Sequence, residues 1–391
     1  MPSSFELVMV ILLLFIVKAN GENDQFYLSP TGNIIIGLIL PIHTSSGSQL
    51  NSYDYESTCS KFEPSRALLV SQFRRAVDEV NELKVLPDGL VLGYWIIDSC
   101  SSTAVSVLQT VKHWLRNKAR TQDGYDPVTH GRLPVLVIGA YKSRISSILS
   151  QIFENFDIPM LDFASSSPDL SNRLRYRLFA RTSPSDVYQA AAMAELISAY
   201  AWKCVHLIYS HGIYGDHGVA ELKAALRRYD VCIGAEVGIQ PGSFSQERSD
   251  IYEVVETFGE WPGIKIVVCF CEETTMKGLL TALWNYDQTE SGGFVTRSNF
   301  IIVASDYWGT KMDLSGLESV ADGAVTFSMT SRADKKSFSE WFSSETTMKK
   351  FQSQPDPWYK EYADVVLRCQ TFPCGMISLS LSQQTDSSGE F

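Results

Sequence analysis

Positive charge is in short supply in this chain: 33 Lys and Arg stand against 44 Asp and Glu, a formal net charge of −11. The imbalance runs along the whole length, which excludes a nucleic-acid binder, since that needs clustered cations to displace phosphate counterions. Long apolar runs are missing too. The longest, Leu7–Val17, has 11 residues, against the ~20 that a transmembrane helix requires. Catalytic signatures are absent: there is no G-x-S-x-G elbow, no H-E-x-x-H and no G-x-x-x-x-G-K-[ST] loop. His206, His211 and His217 crowd together, yet no acidic or thiol ligand stands in register with them, so no metal and no cofactor is expected. Low-complexity sequence is lacking until the Ser-, Gln- and Thr-rich tail over 376–391. These absences exclude membrane-spanning, fibrous and largely disordered chains, and they leave an enzyme without a nucleophile–base pair.

What is present is ordinary for a folded chain. The 391 residues, 45% hydrophobic and 20% charged, suffice for two or three domains with sizeable cores. The N-terminal apolar run, followed by Lys18, Ala19, Asn20 and Gly21, reads as a secretory signal peptide over 1–19, with Val17 and Ala19 suiting the small-residue cleavage rule. The segment before it carries Glu6 and no basic residue. Eight cysteines, an even number, fit an oxidising compartment in which most would pair. Cys269-Phe270-Cys271 has one intervening residue, so it is not a thioredoxin-type motif. The chain is placed in the secretory pathway, outside the cell or at its surface.

Strand and helix patterns alternate. The spacing predicts buried strands over 33–42, 90–97, 134–138 and 159–163, with helices over 64–84, 102–117 and 143–156. A polar loop is expected at 118–132. The inward stripes are Leu69, Phe73, Ala76, Val77, Val80 and Leu83 on the first helix, and Ile145, Ile148, Leu149, Ile152 and Phe156 on the third. The second half repeats the theme, with helices over 186–200, 215–228, 248–258 and 274–285 and strands over 204–210, 231–239, 264–270 and 299–304. This order implies two α/β lobes, each a mostly parallel sheet with helices on both faces, meeting at a cleft.

Ligands of such sheets bind outside the carboxyl ends of the strands. There the sequence puts Gly139-Ala140-Tyr141-Lys142-Ser143, where Ser143 is either an anion cradle at a helix start or a plain cap. Ala164-Ser165-Ser166-Ser167 follows another strand, and Asp186 opens a helix, again as site or cap. The glycines of His211-Gly212-Ile213-Tyr214-Gly215 allow a tight turn that would present the Tyr214 ring to the cleft, and Asp306 lies beyond the strand at 299–304. Hydroxyls and helix-start amides suit a carboxylate, while acids and an aromatic ring suit an ammonium. Together they fit the head group of an α-amino acid.

Several segments resemble the extracellular ligand-binding domain of metabotropic glutamate receptors, which are class C G-protein-coupled receptors. They are Phe156-Asp157-Ile158-Pro159, the run Arg181 to Ala190, Tyr214-Gly215-Asp216-His217-Gly218, Val267 to Glu272, Ser305-Asp306-Tyr307-Trp308 and Asp356-Pro357-Trp358-Tyr359. The resemblance covers about 33–374. It implies a two-lobed Venus flytrap of the periplasmic-binding-protein-like type I, with lobe 1 over 33–182, lobe 2 over 183–329, a return segment to lobe 1 over 330–374, a disordered tail over 375–391 and a first lobe that is C-terminally truncated. It implies L-glutamate or another α-amino acid as ligand, its carboxylate held by Ser143, Ser166 and the Ala164 backbone and its ammonium by Ser166, Asp186, Tyr214 and Asp306. Glu272 and Lys311 match second-lobe positions that approach the ligand on closure. Disulfides Cys59–Cys100, Cys269–Cys271 and Cys369–Cys374 are implied, while Cys232 matches a tethering cysteine and Cys204 is expected as a buried thiol. Homodimerisation through lobe 1 is implied, as is signalling to a G protein through a transmembrane domain that these residues do not contain.

Three departures qualify the ligand. The family grips the glutamate side chain with an Arg on the first long helix, where this chain offers Leu69 or Val70, with Arg66 nearby but out of register. The partner lysine of a later segment has no match. Ala140, Tyr141 and Lys142 replace small residues before Ser143, and the 118–132 loop lacks the cysteine of the family's inter-subunit disulfide. Two other functions fit less closely: a secreted binding or decoy protein, and a flytrap ectodomain of a guanylyl-cyclase-type receptor.

Overall fold

The computed structural model describes residues 26–28, 32–44, 59–122, 133–240, 254, 257–258, 260–261, 263–289, 300–308, 314–328, 340–342, 344 and 357–366. The expected signal peptide, the tail, Lys311, Cys369 and Cys374 lie outside these residues, as does most of the helix expected over 248–258.

The first sheet is built from β1 (Phe26–Leu28), β2 (Ile34–Leu40), β5 (Leu92–Asp98), β6 (Leu136–Gly139), β7 (Met160–Asp162) and β8 (Phe179–Arg181). Its order is β1-β5-β2-β6-β7-β8, parallel except for β1, which pairs antiparallel with β5. A short antiparallel pair, β3 (His43–Thr44) with β4 (Lys61–Phe62), lies beside it. Every residue of β5 is buried, as a central parallel strand covered on both faces requires. Helices α1 (Pro64–Glu82), α2 (Thr103–Gln122) and α3 (Ser143–Glu154) make the crossovers. Pro64 stands in the first turn of α1, where its missing N–H costs nothing.

The second sheet holds β9 (Cys204–Ser210), β10 (Cys232–Ile239), β11 (Ile266–Phe270), β12 (Ile301–Ala304) and β13 (Val325–Thr326) in the order β10-β9-β11-β12-β13, all parallel. Its helices are α4 (Asp186–Ala199), α5 (Ile213–Arg227), α6 (Glu273–Thr289) and the single turn α7 (Glu318–Ala321). Each sheet has core residues on both faces, in four clusters. The two-lobed, mostly parallel α/β architecture expected from the sequence is the observed one.

Helix α8 (Pro357–Val365) docks on the first sheet. Trp358, Tyr359 and Tyr362 are buried with Leu40, Ile42, Val70 and Tyr94, each large side chain contributing roughly 1.5–3 kcal/mol by leaving water. A polar clamp reinforces it. Buried His43 meets Asp98 through Nδ1 at 2.5 Å and Glu361 of α8 through Nε2 at 3.1 Å. Asp98 also accepts from the backbone N–H groups of Ile42 and Cys100, at 2.9 and 2.8 Å.

Several expectations need correction. Helix α2 runs to Gln122, into the expected loop, and α1 stops at Glu82, leaving Leu83 exposed. On α3, Ile148 and Phe156 face outward while Phe153 takes the core position, because the helix ends at Glu154 and its stripe follows Ile145, Leu149 and Phe153. Cys59–Cys100 is bonded as implied. Cys269 and Cys271, by contrast, are free and buried. Two residues apart on extended chain, their Cα atoms stand roughly 6.5–7 Å from each other, at or past the usual disulfide limit. Cys204 is neither a lone thiol nor is Cys232 a free tether. Parallel pairing puts them directly opposite on β9 and β10, with Cα atoms 4.4 Å apart, and they form a disulfide.

Peptide mapping of the unreduced protein should find Cys204 linked to Cys232 and both Cys269 and Cys271 alkylated once it is denatured; a 269–271 link would refute the assignment. The His43 clamp makes a second forecast. Burial lowers the His43 pKa, but hydrogen bonds to Asp98 and Glu361 outweigh it and raise the value from 6.5 to about 9. The clamp's stabilisation is therefore complete below pH 6.5 and lost as pH rises through about 9. The thermal midpoint should fall over that window relative to His43→Gln; parallel curves would dismiss the clamp.

Candidate functional site

Each sheet reverses its strand order once. In the first, the chain leaves β2 for β5 on one side and returns to β6 on the other; in the second, β9 leads to β10 and then back to β11. The carboxyl ends of β2 and β6, and of β9 and β11, are the crevices where open α/β sheets hold ligands. The expected site residues gather at these two edges.

On the first lobe, two loops are locked together. Asp162, fully buried at the end of β7, accepts through Oδ1 from the N–H groups of Ala164 at 2.8 Å and Ser165 at 3.0 Å. Its Oδ2 accepts from Ser146 Oγ at 2.5 Å, and the same Oγ accepts from Ala140 N–H at 3.2 Å. Ser143 does not cap its own helix: its Oγ accepts from Ser167 N–H at 3.2 Å, joining the 140–143 loop to the 164–167 loop. Arg181 donates to the carbonyls of Ser165 and Ser167, and Ser183 Oγ to that of Ser165. Amid these groups, Ser166 Oγ is buried and lies against the Asp186 carboxyl, closing no hydrogen bond of ordinary geometry among the described residues.

The second lobe supplies an acid pair. Asp186 is the first residue of α4 but not its cap, which is Ser185. Its backbone N–H donates to Ser166 C=O at 2.9 Å, so the carboxyl sits against the first-lobe loop. Gln189, one turn along α4, donates from Nε2 to Asp186 Oδ1 at 2.9 Å and to Asp306 Oδ1 at 3.4 Å, while its Oε1 accepts from Asp306 N–H at 2.7 Å. Tyr214 Oη donates to Asp306 Oδ1 at 3.1 Å. Its ring does not face the cleft as expected. It is buried against Phe270 and Tyr307, with ring centroids 5.1 and 4.6 Å away. The turn that puts it there needs glycine twice: Gly212 has φ +125°, and a Cβ on Gly215 would lie 1.9 Å from Ser210 C=O.

Asp186 is 2% exposed. Burial, and then the neighbouring Asp306 charge, raise its pKa from 3.8 to about 7, with Ser166, Gln189 and Arg181 countering in part. Its Oδ2, like Ser166 Oγ, closes no hydrogen bond of ordinary geometry. Buried polar atoms left unmatched are uncommon and costly. Here Ser166 Oγ and Asp186 Oδ2 lie against each other beside Asp306, a surrounding that an ammonium group would satisfy.

The lobes also touch directly. Ser167 Oγ donates to Ile213 C=O at 2.7 Å. Arg66, buried in the first turn of α1, donates through Nη2 to Glu273 Oε2 of α6 at 2.9 Å and through Nη1 to Pro41 C=O at 3.3 Å, with its guanidinium 5.3 Å from the Tyr141 ring centroid. Lys142 is buried, which lowers its pKa, and Glu272 and Glu273 act on it in the opposite sense. Glu272, 6% exposed, has its N–H on Ser210 Oγ at 3.0 Å.

The structure thus brings Ser143, Ala164, Ser166, Asp186, Tyr214, Glu272 and Asp306 to facing edges. Sequence reasoning missed Gln189, Ser146, Asp162 and Glu273, and set Arg66 aside. Gln189 was within reach of inspection, since three residues after Asp186 on a helix places both on one face. The histidine group disperses: His206 is buried and accepts from Ala235 N–H at 3.1 Å, His211 meets Asp216, and His217 meets Ile213 C=O.

The raised Asp186 pKa implies a pH dependence of fixed sign. The folded state holds the proton more tightly than the unfolded one, so stability falls as pH rises from 3.8 to about 7 and stays reduced above. Asp186→Asn should flatten that segment of the thermal-midpoint curve, and an unchanged slope would contradict the assignment.

Residues 72–367 match the family described as receptor family ligand binding region. Metabotropic glutamate receptor 4 of Macaca fascicularis and that of Mus musculus are each 29% identical to the chain over 364 residues, 90% of this chain and 37% of the relative. The receptor 4 of Rattus norvegicus shows the same identity and coverage. The chain therefore spans a little over a third of the length of these relatives. No helix among the described residues is long and apolar enough to cross a membrane. With its two switch-point crevices facing one another and this match over most of its length, the chain belongs to the receptor family ligand-binding region, of the kind found in the ectodomains of class C G-protein-coupled receptors.

Proposed function

We propose that the chain binds an α-amino acid between its lobes, the ammonium at Asp186, Asp306, Tyr214 Oη and Ser166 Oγ and the carboxylate at Ser143 and Ser166, with the Ala164 backbone alongside. The observation that carries this is the buried pair of carboxyls, Asp186 and Asp306, bridged by Gln189 and set against the first-lobe loop by the Asp186 N–H to Ser166 C=O bond. An ammonium placed there donates to both, and its charge stabilises ionised Asp186 beside Asp306. Gln189 fixes the spacing of the two carboxyls. Because the contacts come from both lobes, they exist together only when the lobes are closed, so the ligand draws the population toward closure by its differential affinity for that form. Glu272, and Lys311 by the resemblance alone, approach from the second lobe. Pairing of two copies through the first lobe and relay of closure to a G protein belong to the same proposal, at the level of the longer receptor.

Calorimetric titration of the full chain with the common amino acids tests it. At least one should bind, more tightly as pH rises through about 7 because Asp186 ionises. Asp186→Asn and Tyr214→Phe should each weaken binding by at least about thirtyfold, the equivalent of the ~2 kcal/mol lost with one partner of a buried charge-assisted contact. Unchanged affinity in both variants would point to a flytrap whose cleft takes another class of ligand.

A further inference from the structure

Among the described residues, Arg66 is the cation at the cleft edge that is paired with a carboxylate across the lobes. Arg66 stands on α1 beside the carboxyl end of β2, and Lys142 follows β6; together they mark the switch point of the first sheet. Glu272 and Glu273 follow β11 at the switch point of the second. Across the gap Arg66 is bonded to Glu273 at 2.9 Å, with side chains 8% and 25% exposed, and Lys142 is buried within electrostatic reach of Glu272 and Glu273. Tyr307 links this cluster to the acid pair, since Glu272, Asp306, Tyr141 and Asp186 all act on its buried hydroxyl. Among the described residues that meet here, Arg66 and Lys142 oppose Glu272, Glu273, Asp186 and Asp306. Arg181 is spent on backbone carbonyls. Arg144, whose Nε is buried without a partner, is a further cation near Lys142 among the described residues.

We infer that Glu273 acts as a built-in substitute for a ligand's side-chain carboxylate, so that the cleft takes α-amino acids lacking an acidic side chain and discriminates against glutamate and aspartate. The inference rests on the amino-acid reading above and concerns the far end of the same cleft. An acidic side chain entering there adds negative charge beside two carboxylates. It must also displace Glu273 from Arg66, leaving a partly buried carboxylate without its partner, which is costly. A neutral or basic side chain leaves the Arg66–Glu273 pair intact, and that pair then helps hold the lobes together.

The test is calorimetric titration of the full chain, and of Glu273→Gln, with alanine, lysine, glutamate and aspartate, folding being checked by circular dichroism. The unmodified chain should bind alanine or lysine at least about tenfold more tightly than glutamate, as one unscreened like-charge contact entails. Glu273→Gln should shrink or reverse that ratio by freeing Arg66. Glutamate bound as tightly as alanine by the unmodified chain, or a ratio unmoved by Glu273→Gln, overturns the inference while leaving amino-acid binding in place; loss of that glutamate binding in Arg144→Gln would identify the cation responsible. No binding of any amino acid to either protein would remove the underlying reading itself. If Glu273→Gln fails to fold, the preference of the unmodified chain decides alone.

Discussion

Asp186 and Asp306 are two carboxyls held close together where little water reaches, and the polar arrangement of the cleft is organised around them. Like charges in such a place repel, and burial disfavours each ionised form, so the pair is tolerable only with help. Gln189 provides it from both ends of one amide, donating to the two carboxyls and accepting from the Asp306 backbone. Tyr214 adds a donor from the core of the second lobe. Neither Gln189 nor Tyr214 supplies a cation, and burial together with the Asp306 charge leaves the Asp186 pKa raised, Arg181 countering only in part. A positive charge brought to this pair would relieve both the repulsion and the burial cost, which is why the proposed ligand carries an ammonium.

The same frame explains why the loops on the first lobe are so rigidly tied. Asp162, Ser146, Arg181 and Ser183 tie the 140–143 and 164–167 loops together through the N–H groups of Ala140, Ala164 and Ser165 and the carbonyls of Ser165 and Ser167. Rigid loops lose little entropy on binding, so the hydroxyl of Ser166 is presented at low conformational cost. The Arg66–Glu273 bridge works at a different level. It joins α1 of the first lobe to α6 of the second, away from the Asp186–Asp306 pair.

Structural support for the first lobe arrives from far along the chain. The clamp of His43 between Asp98 and Glu361 and the aromatic face of α8 tie residues 357–365 to the carboxyl ends of β2 and β5. This keeps the end of β2 in place, next to Arg66.

Element order and type were legible from periodicity, because a parallel strand buried on both faces leaves a continuous apolar run and its covering helix leaves a stripe. β2, β5, β9 and β11 are such runs, and their carboxyl-end loops carry the residues that meet across the cleft. Pairings that depend on register were not legible. Nothing in the spacing of Cys204 and Cys232 says that β9 and β10 align them side by side, and nothing in Cys-Phe-Cys says that an extended backbone keeps those thiols apart. Likewise the Tyr214 turn could be read from its glycines, but whether its ring faced the cleft or the core was settled by Phe270 and Tyr307. The sequence by itself determined the two α/β lobes and the strand-end loops that meet between them, since these follow from local hydrophobic patterning. Only the tertiary structure decided that Gln189 bridges the acids and that Arg66 meets Glu273, because those contacts join residues 117 and 207 positions apart, and packing alone brings them within a hydrogen bond's length.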